Sequence, residues 1–119
     1  MDDRLVVPAL KVALDGLAQR QRISADNIAN IQTPGFRARA VEFESALADA
    51  VAGSPGASVA DLSGVVGTTY TTDAAREDGN NVSLEKETLL GTKTNLEYTM
   101  ALRVVDNRFG SYRDVLRGA

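Results

Sequence analysis

Two glutamate pairs stand close together in this sequence: Glu42 with Glu44, and Glu85 with Glu87. Such pairs can divide acid and base roles, or share a hard cation. The rest of the chain works against both uses. Histidine and cysteine are absent, which removes the commonest general base, thiolate nucleophiles, disulfides and the usual zinc ligands. An oxygen-only calcium or magnesium site of the EF-hand kind needs a loop of alternating Asp and Asn, and no stretch has that pattern. On a strand and in a first helical turn, the two glutamate pairs read as solvated charges. The expectation is a structural chain and not an enzyme: no catalytic residues, no cofactor and no metal.

The elements that carry these residues point the same way. The 119 residues make one small domain, with few aromatics (5%). A net charge of −3 and a pI near 4.9 argue against a general nucleic-acid binder. No apolar run approaches the ~18 residues of a membrane span, so no direct membrane insertion is expected. The opening Met1-Asp2-Asp3-Arg4-Leu5-Val6-Val7-Pro8 is acidic and lacks the basic and long apolar regions of a cleavable signal.

Apolar spacing is the strongest local signal. Val7, Leu10, Leu14, Leu17, Gln21, Ser24, Ile28 and Ile31 step by threes and fours, a seam that packs along a neighbouring helix. The helix is expected from Pro8, which suits a first turn, to Ile31, about 36 Å. Gln21 and Ser24 break the seam, marking either a wetter stretch or a device that sets register. Asp26, Asn27 and Asn30 are weak helix formers crowded at its end. They read either as a fraying terminus or as amides bonded to a neighbouring element. Thr33-Pro34-Gly35 then turns the chain, and residues 36–44 read as extended.

Residues 34–80 form a second region. Gly53-Ser54-Pro55-Gly56-Ala57-Ser58 is linker-like, and Val65-Val66-Gly67-Thr68-Thr69-Tyr70-Thr71-Thr72 has β-propensity without bulk. It suits either a hairpin with residues 37–43 or a segment that is mobile in the free subunit, and nothing in the stretch promises to fill a core. After the turn Asp78-Gly79-Asn80-Asn81, Ser83 suits an N-cap, and a helix is expected over residues 84–117, about 50 Å. Its apolar positions fall on two lines read as neighbouring. One is Val82, Leu89, Leu96 and Met100; the other is Tyr98, Leu102, Val105, Phe109, Tyr112 and Leu116. Gly118 suits the residue after the helix.

The expected fold is therefore mainly α. Two long terminal helices, in residues 1–33 and 81–119, pack as a coiled-coil-like pair around a short β-hairpin and irregular middle. Two helices with so thin a middle leave apolar surface over, which calls for partners. Identical chains burying it head to tail would build an open tube; a free-standing coiled-coil adaptor is the other reading.

One stretch is far more specific. Ser24-Ala25-Asp26-Asn27-Ile28-Ala29-Asn30-Ile31-Gln32-Thr33-Pro34-Gly35-Phe36-Arg37-Ala38 resembles the signature of the flagellar rod and hook family. Asp26 stands where Asn is common. Asn27, Ile28, Ala29, Asn30, Thr33, Pro34, Gly35 and Phe36 carry the match. The stretch from Asp78 to Glu87, with Asn95-Leu96-Glu97-Tyr98 and Arg108-Phe109-Gly110, resembles the short proximal rod members, although Ser83 replaces a commonly acidic residue. FlgC-like rod proteins are the nearest alternative.

The resemblance implies a structural subunit of the proximal rod, a hollow helical tube that transmits torque and passes exported subunits. Both terminal helices would form the inner tube, through a seam of Leu10, Leu14, Leu17, Ile28, Ile31, Leu89, Leu96, Met100, Leu102, Val105, Phe109, Tyr112 and Leu116. Implied partners are copies of itself, FlgC-like and FlgF-like rod proteins, the rod-base adaptor FliE, the export gate and the MS ring. The implied location is the periplasmic rod of the basal body, reached through the flagellar type III export apparatus without signal cleavage. Phe43 and Leu47 resemble the aromatic-x-x-x-aliphatic segment that such export substrates present to the gate.

Overall fold

A computed structural model describes residues 3–53, 58–59 and 67–118. The linker residues 54–57, Val65, Val66 and the first two residues of the opening lie outside the described residues. The elements run α1 (Asp3–Ala29), β1 (Arg39–Glu42), α2 (Glu44–Val51), β2 (Gly67–Tyr70) and α3 (Leu84–Leu116). The long helices are antiparallel. Ser24, late in α1, hydrogen-bonds Glu87, early in α3, while Val7 shares a groove with Tyr112. At 27 and 33 residues they are about 40 and 50 Å long. Strands β1 and β2 pair antiparallel, Arg39 opposite Tyr70 and Glu42 opposite Gly67, as the expected hairpin.

Helix α1 begins five residues before Pro8, which therefore sits inside the helix and not in its first turn as expected. Proline there withholds one backbone hydrogen bond from the preceding turn. Packing offsets the loss, because Leu5 and Ala9 on either side of Pro8 lie against a buried cluster of Val12, Ala50 and Val59. At the other end regular helix stops at Ala29, and shorter turns carry the chain through Ile31 and Thr33. Ser83 caps α3, its side chain accepting from the Lys86 N–H, and Gly118 follows the helix with φ +77°.

Ala50 and Val59, in the stretch not expected to fill a core, are buried in one. A first cluster joins Leu17 and Ile23 of α1 to Val41 and Phe43; Ala50 of α2 and Val59 complete the second, and Leu47 packs against both. Helix α2 has only eight residues, mostly small, so its one-sided spacing of Leu47, Ala50 and Val51 is too short to stand out.

The close approach of Phe43 to α1 depends on Gly16. A Cβ built at Gly16 would lie 2.5 Å from Phe43 ring atoms. Alanine is the better helix former by about 1 kcal/mol, but overpacking costs roughly 1–3 kcal/mol. Gly16→Ala is expected to lower the thermal midpoint; a raised midpoint would show that the ring has room to move aside.

Candidate assembly interface

A buried polar joint fixes how α1 meets the rest of the chain. Asn27 is 1% exposed. Its amide donates to the Arg39 carbonyl (2.8 Å) and to Glu87 Oε1 (3.0 Å), while its oxygen accepts from the Arg39 N–H (3.1 Å). Ser24 Oγ donates to the other Glu87 oxygen at 2.6 Å. One asparagine thus ties α1 to the edge of β1 and to the first turns of α3. The crowded amides are a joint and not a fraying end. Asp26 accepts from Arg39 Nη2 at 2.6 Å, so its charge has a cation beside it.

Asn80, wholly buried, closes the end of α1. Its amide donates to the carbonyls of Asn30, Ile31 and Thr33, in the turns that follow the helix. Arg76 reaches the Ile31 carbonyl as well. Asn81 Oδ1 accepts from the Ala38 N–H at 2.6 Å, and its own N–H donates to the Phe36 carbonyl. The Gly35 N–H donates to the Asp78 carbonyl, with Gly35 and Gly79 both at positive φ and their backbones in close approach. Read from the sequence, Asp78 to Asn81 were only a turn. The fold makes the loop a lock on the Thr33-Pro34-Gly35 turn.

The glutamate pairs separate. Glu85 and Glu42 are exposed, but Glu87 is 6% exposed, so it is not the solvated charge expected of it. Glu44 meets Arg20, whose guanidinium also donates to the Val41 carbonyl and lies over the Phe43 ring. Burial works against ionising Glu44, but hydrogen bonds and charge from Arg20 outweigh it and lower its pKa below the ordinary 4.5. A lowered pKa in the fold means stabilisation above the unfolded value that is lost as pH falls through the folded one. The Glu44 side chain is 57% exposed, so screening limits the contribution to at most about 1 kcal/mol. Glu44→Gln is expected to flatten the loss of stability on acidification below the ordinary carboxylate range, read as urea midpoints against pH.

The apolar residues of α3 divide between two opposite faces. At 100° per residue, the buried Glu87 and Thr94 share a face with Tyr98, Leu102, Val105, Phe109, Tyr112 and Leu116. Leu89, Leu96 and Met100 fall within about 40° of one another on the far side. The two lines are therefore opposed and not neighbouring as expected. The far ridge is bare: Leu89 is 73% exposed, Leu96 62% and Met100 59%. Even the near face is incompletely covered beyond Tyr98, since Leu102, Phe109, Tyr112 and Leu116 are exposed.

On α1 the expected seam splits as well. Leu17 is buried in the chain's own core, because β1 and Phe43 close over it. Leu10 and Leu14 are half-buried and line a groove with Val105, Phe109 and Tyr112. Ile28 is exposed, and half-buried Ile31 borders a recess beside Asn80. Phe43 is buried and Leu47 half-buried. Among the described residues, no helix is long and apolar enough to cross a membrane.

Known proteins are similar in sequence to this chain over most of its length. A family model described as flagella basal body rod protein matches residues 11–37, the span that holds the Asn27 joint and the Pro-Gly turn. The chain is 32% identical to the flagellar basal body rod protein FlgB of Salmonella typhimurium (strain LT2), covering 89% of this chain and 88% of that one. It is 29% identical to FlgB of Escherichia coli (strain K12) over 88% of each, and 28% identical to FlgB of Bacillus subtilis (strain 168) over 92% and 91%. With 32% identity over 89% of its length, the chain belongs to the FlgB family of flagellar basal body rod proteins.

Proposed function

We infer that this chain, a structural subunit of the flagellar proximal rod, builds the rod wall by packing α3 between two layers of helices. The observation that carries this is the second apolar face of α3. A helix apolar on one side is satisfied by one neighbour, whereas Leu89, Leu96 and Met100 on the opposite side need another. Residues 1–33 and 81–119 supply the inner tube, and residues 34–80 an outer element braced on α1. The assembly seam consists of Leu10, Leu14, Ile28, Ile31, Leu89, Leu96, Met100, Leu102, Val105, Phe109, Tyr112 and Leu116. Leu17 belongs to the internal core.

The neighbours in this reading are copies of the chain, FlgC-like and FlgF-like rod proteins, the adaptor FliE, the export gate and the MS ring. The site is the periplasmic rod, and the route is type III export without signal cleavage. Phe43 and Leu47 serve as the gate segment before folding, since both take part in the folded core. The test is a tagged chain in cells lacking their own copy. It should restore swimming and co-purify with basal bodies, and Phe43→Ala should reduce secretion while the core variant Val41→Ala does not. A chain that stays in the cytoplasm as a small defined oligomer supports the adaptor reading instead.

A further inference from the structure

The groove between the N-terminal half of α1 and the C-terminal half of α3 has a volume of about 430 Å³ and apolar walls, including Val7, Leu10, Leu14, Tyr98, Phe109 and Tyr112. The chain also carries a bare ridge of matching chemistry, Leu89, Leu96 and Met100, on the opposite side of α3. A chain with a groove on one side and a ridge on the other is complementary to itself without two-fold symmetry, the condition for open head-to-tail growth.

Charges select the orientation. Lys11 and Asp15, both exposed and four residues apart, stand at the groove on α1. Lys93 and Glu97, also four apart and paired only loosely at 3.7 Å, flank the ridge on α3. Laid parallel, Lys11 would face Lys93 and Asp15 would face Glu97, like against like. Laid antiparallel, Lys11 meets Glu97 and Asp15 meets Lys93. The exposed Lys93–Glu97 pair costs little to exchange, since such pairs contribute about 0–1 kcal/mol.

We propose that a second copy of this chain fills the groove, its Leu89–Leu96–Met100 ridge antiparallel to α1, with Lys11 against Glu97 and Asp15 against Lys93 of that copy. This rests on the reading of the chain as a rod subunit and names one of its contacts. It also fixes a stagger. Within one chain the Ser24–Glu87 bond sets Asp15 level with Leu96. In the docked pair Asp15 is level with Lys93, so the copies are offset by about three residues, roughly 5 Å along the axis. A constant offset at each step makes a screw and not a closed ring.

The absence of cysteine makes the test clean. Lys11→Cys and Glu97→Cys are produced separately and together in cells lacking their own copy, and basal bodies are purified and oxidised. A disulfide-linked dimer is expected only when both variants are present, and in neither alone. Lys11→Glu should reduce incorporation, and Glu97→Lys added to the same chain should restore it. A dimer from one variant alone, a cross-link to a different rod protein, no mixed dimer in assembled rods, or a double variant no better than the single would each overturn the contact. Incorporation without the mixed dimer leaves the rod-subunit reading standing and removes only this register. Failure of both single-cysteine chains and of the unaltered chain to enter basal bodies removes the rod-subunit reading itself.

Discussion

Asn27→Ala is expected to lower the stability of the isolated chain by roughly 3 kcal/mol, since each stranded buried partner costs about 1–3 kcal/mol. The side chain is 1% exposed and makes three hydrogen bonds, to the Arg39 N–H and carbonyl and to Glu87. Truncation leaves a cavity at the meeting point of α1, β1 and α3, and deprives Glu87 of one of its two donors. Domains of this size have only about 5–15 kcal/mol in total, so the loss is a large fraction. Asn27→Asp keeps the shape but puts a second carboxylate about 3 Å from the first, and is expected to cost more than alanine. Urea midpoints at constant slope measure both. If aspartate were tolerated better than alanine, volume and not the direction of hydrogen bonding would be what Asn27 supplies.

Leu96→Asp is expected to abolish swimming while leaving the isolated chain folded. At 62% exposure Leu96 contributes little to the fold, and exposed substitutions usually fall within about 0.5 kcal/mol. In the assembled wall the same aspartate lies in an apolar contact without a partner, at a cost of several kcal/mol. Leu102→Asp and Leu14→Asp act in the same direction from the groove side. Leu17→Asp is the contrast: Leu17 is 4% exposed in the internal core, so that variant fails to fold before assembly is at issue. Circular dichroism of the purified variants, set beside swimming and basal-body incorporation, separates the two classes. Normal swimming with Leu96→Asp would remove the far ridge from the interface.

Both predictions turn on a partition that spacing alone does not make. Leu14 and Leu17 are equivalent members of one three-and-four series, yet Leu17 is covered by Val41 and Phe43 while Leu14 lines an open groove. The difference comes from residues more than twenty positions away. Likewise, Glu85 and Glu87 look alike in a first helical turn. Only the arrival of α1, with Ser24 and Asn27 facing α3, buries one and leaves the other in water.

The sequence by itself determined the two long helices, the cap at Ser83, the turn at Thr33-Pro34-Gly35, and the family through the motif around Asn27. These are legible because period, capping and turn chemistry act over a few residues, and each leaves its signature where it acts. The tertiary structure alone decided that the carboxylate pairs are structural in different ways. Glu87 accepts from the α1 joint, Glu44 is held by Arg20, and Glu42 and Glu85 remain exposed. It also placed the two apolar lines of α3 back to back and made Asn80 the cap of a helix about fifty residues earlier in the chain. The physical reason is common to all three: burial and hydrogen-bond partners depend on which distant segments arrive, and local spacing carries no record of that.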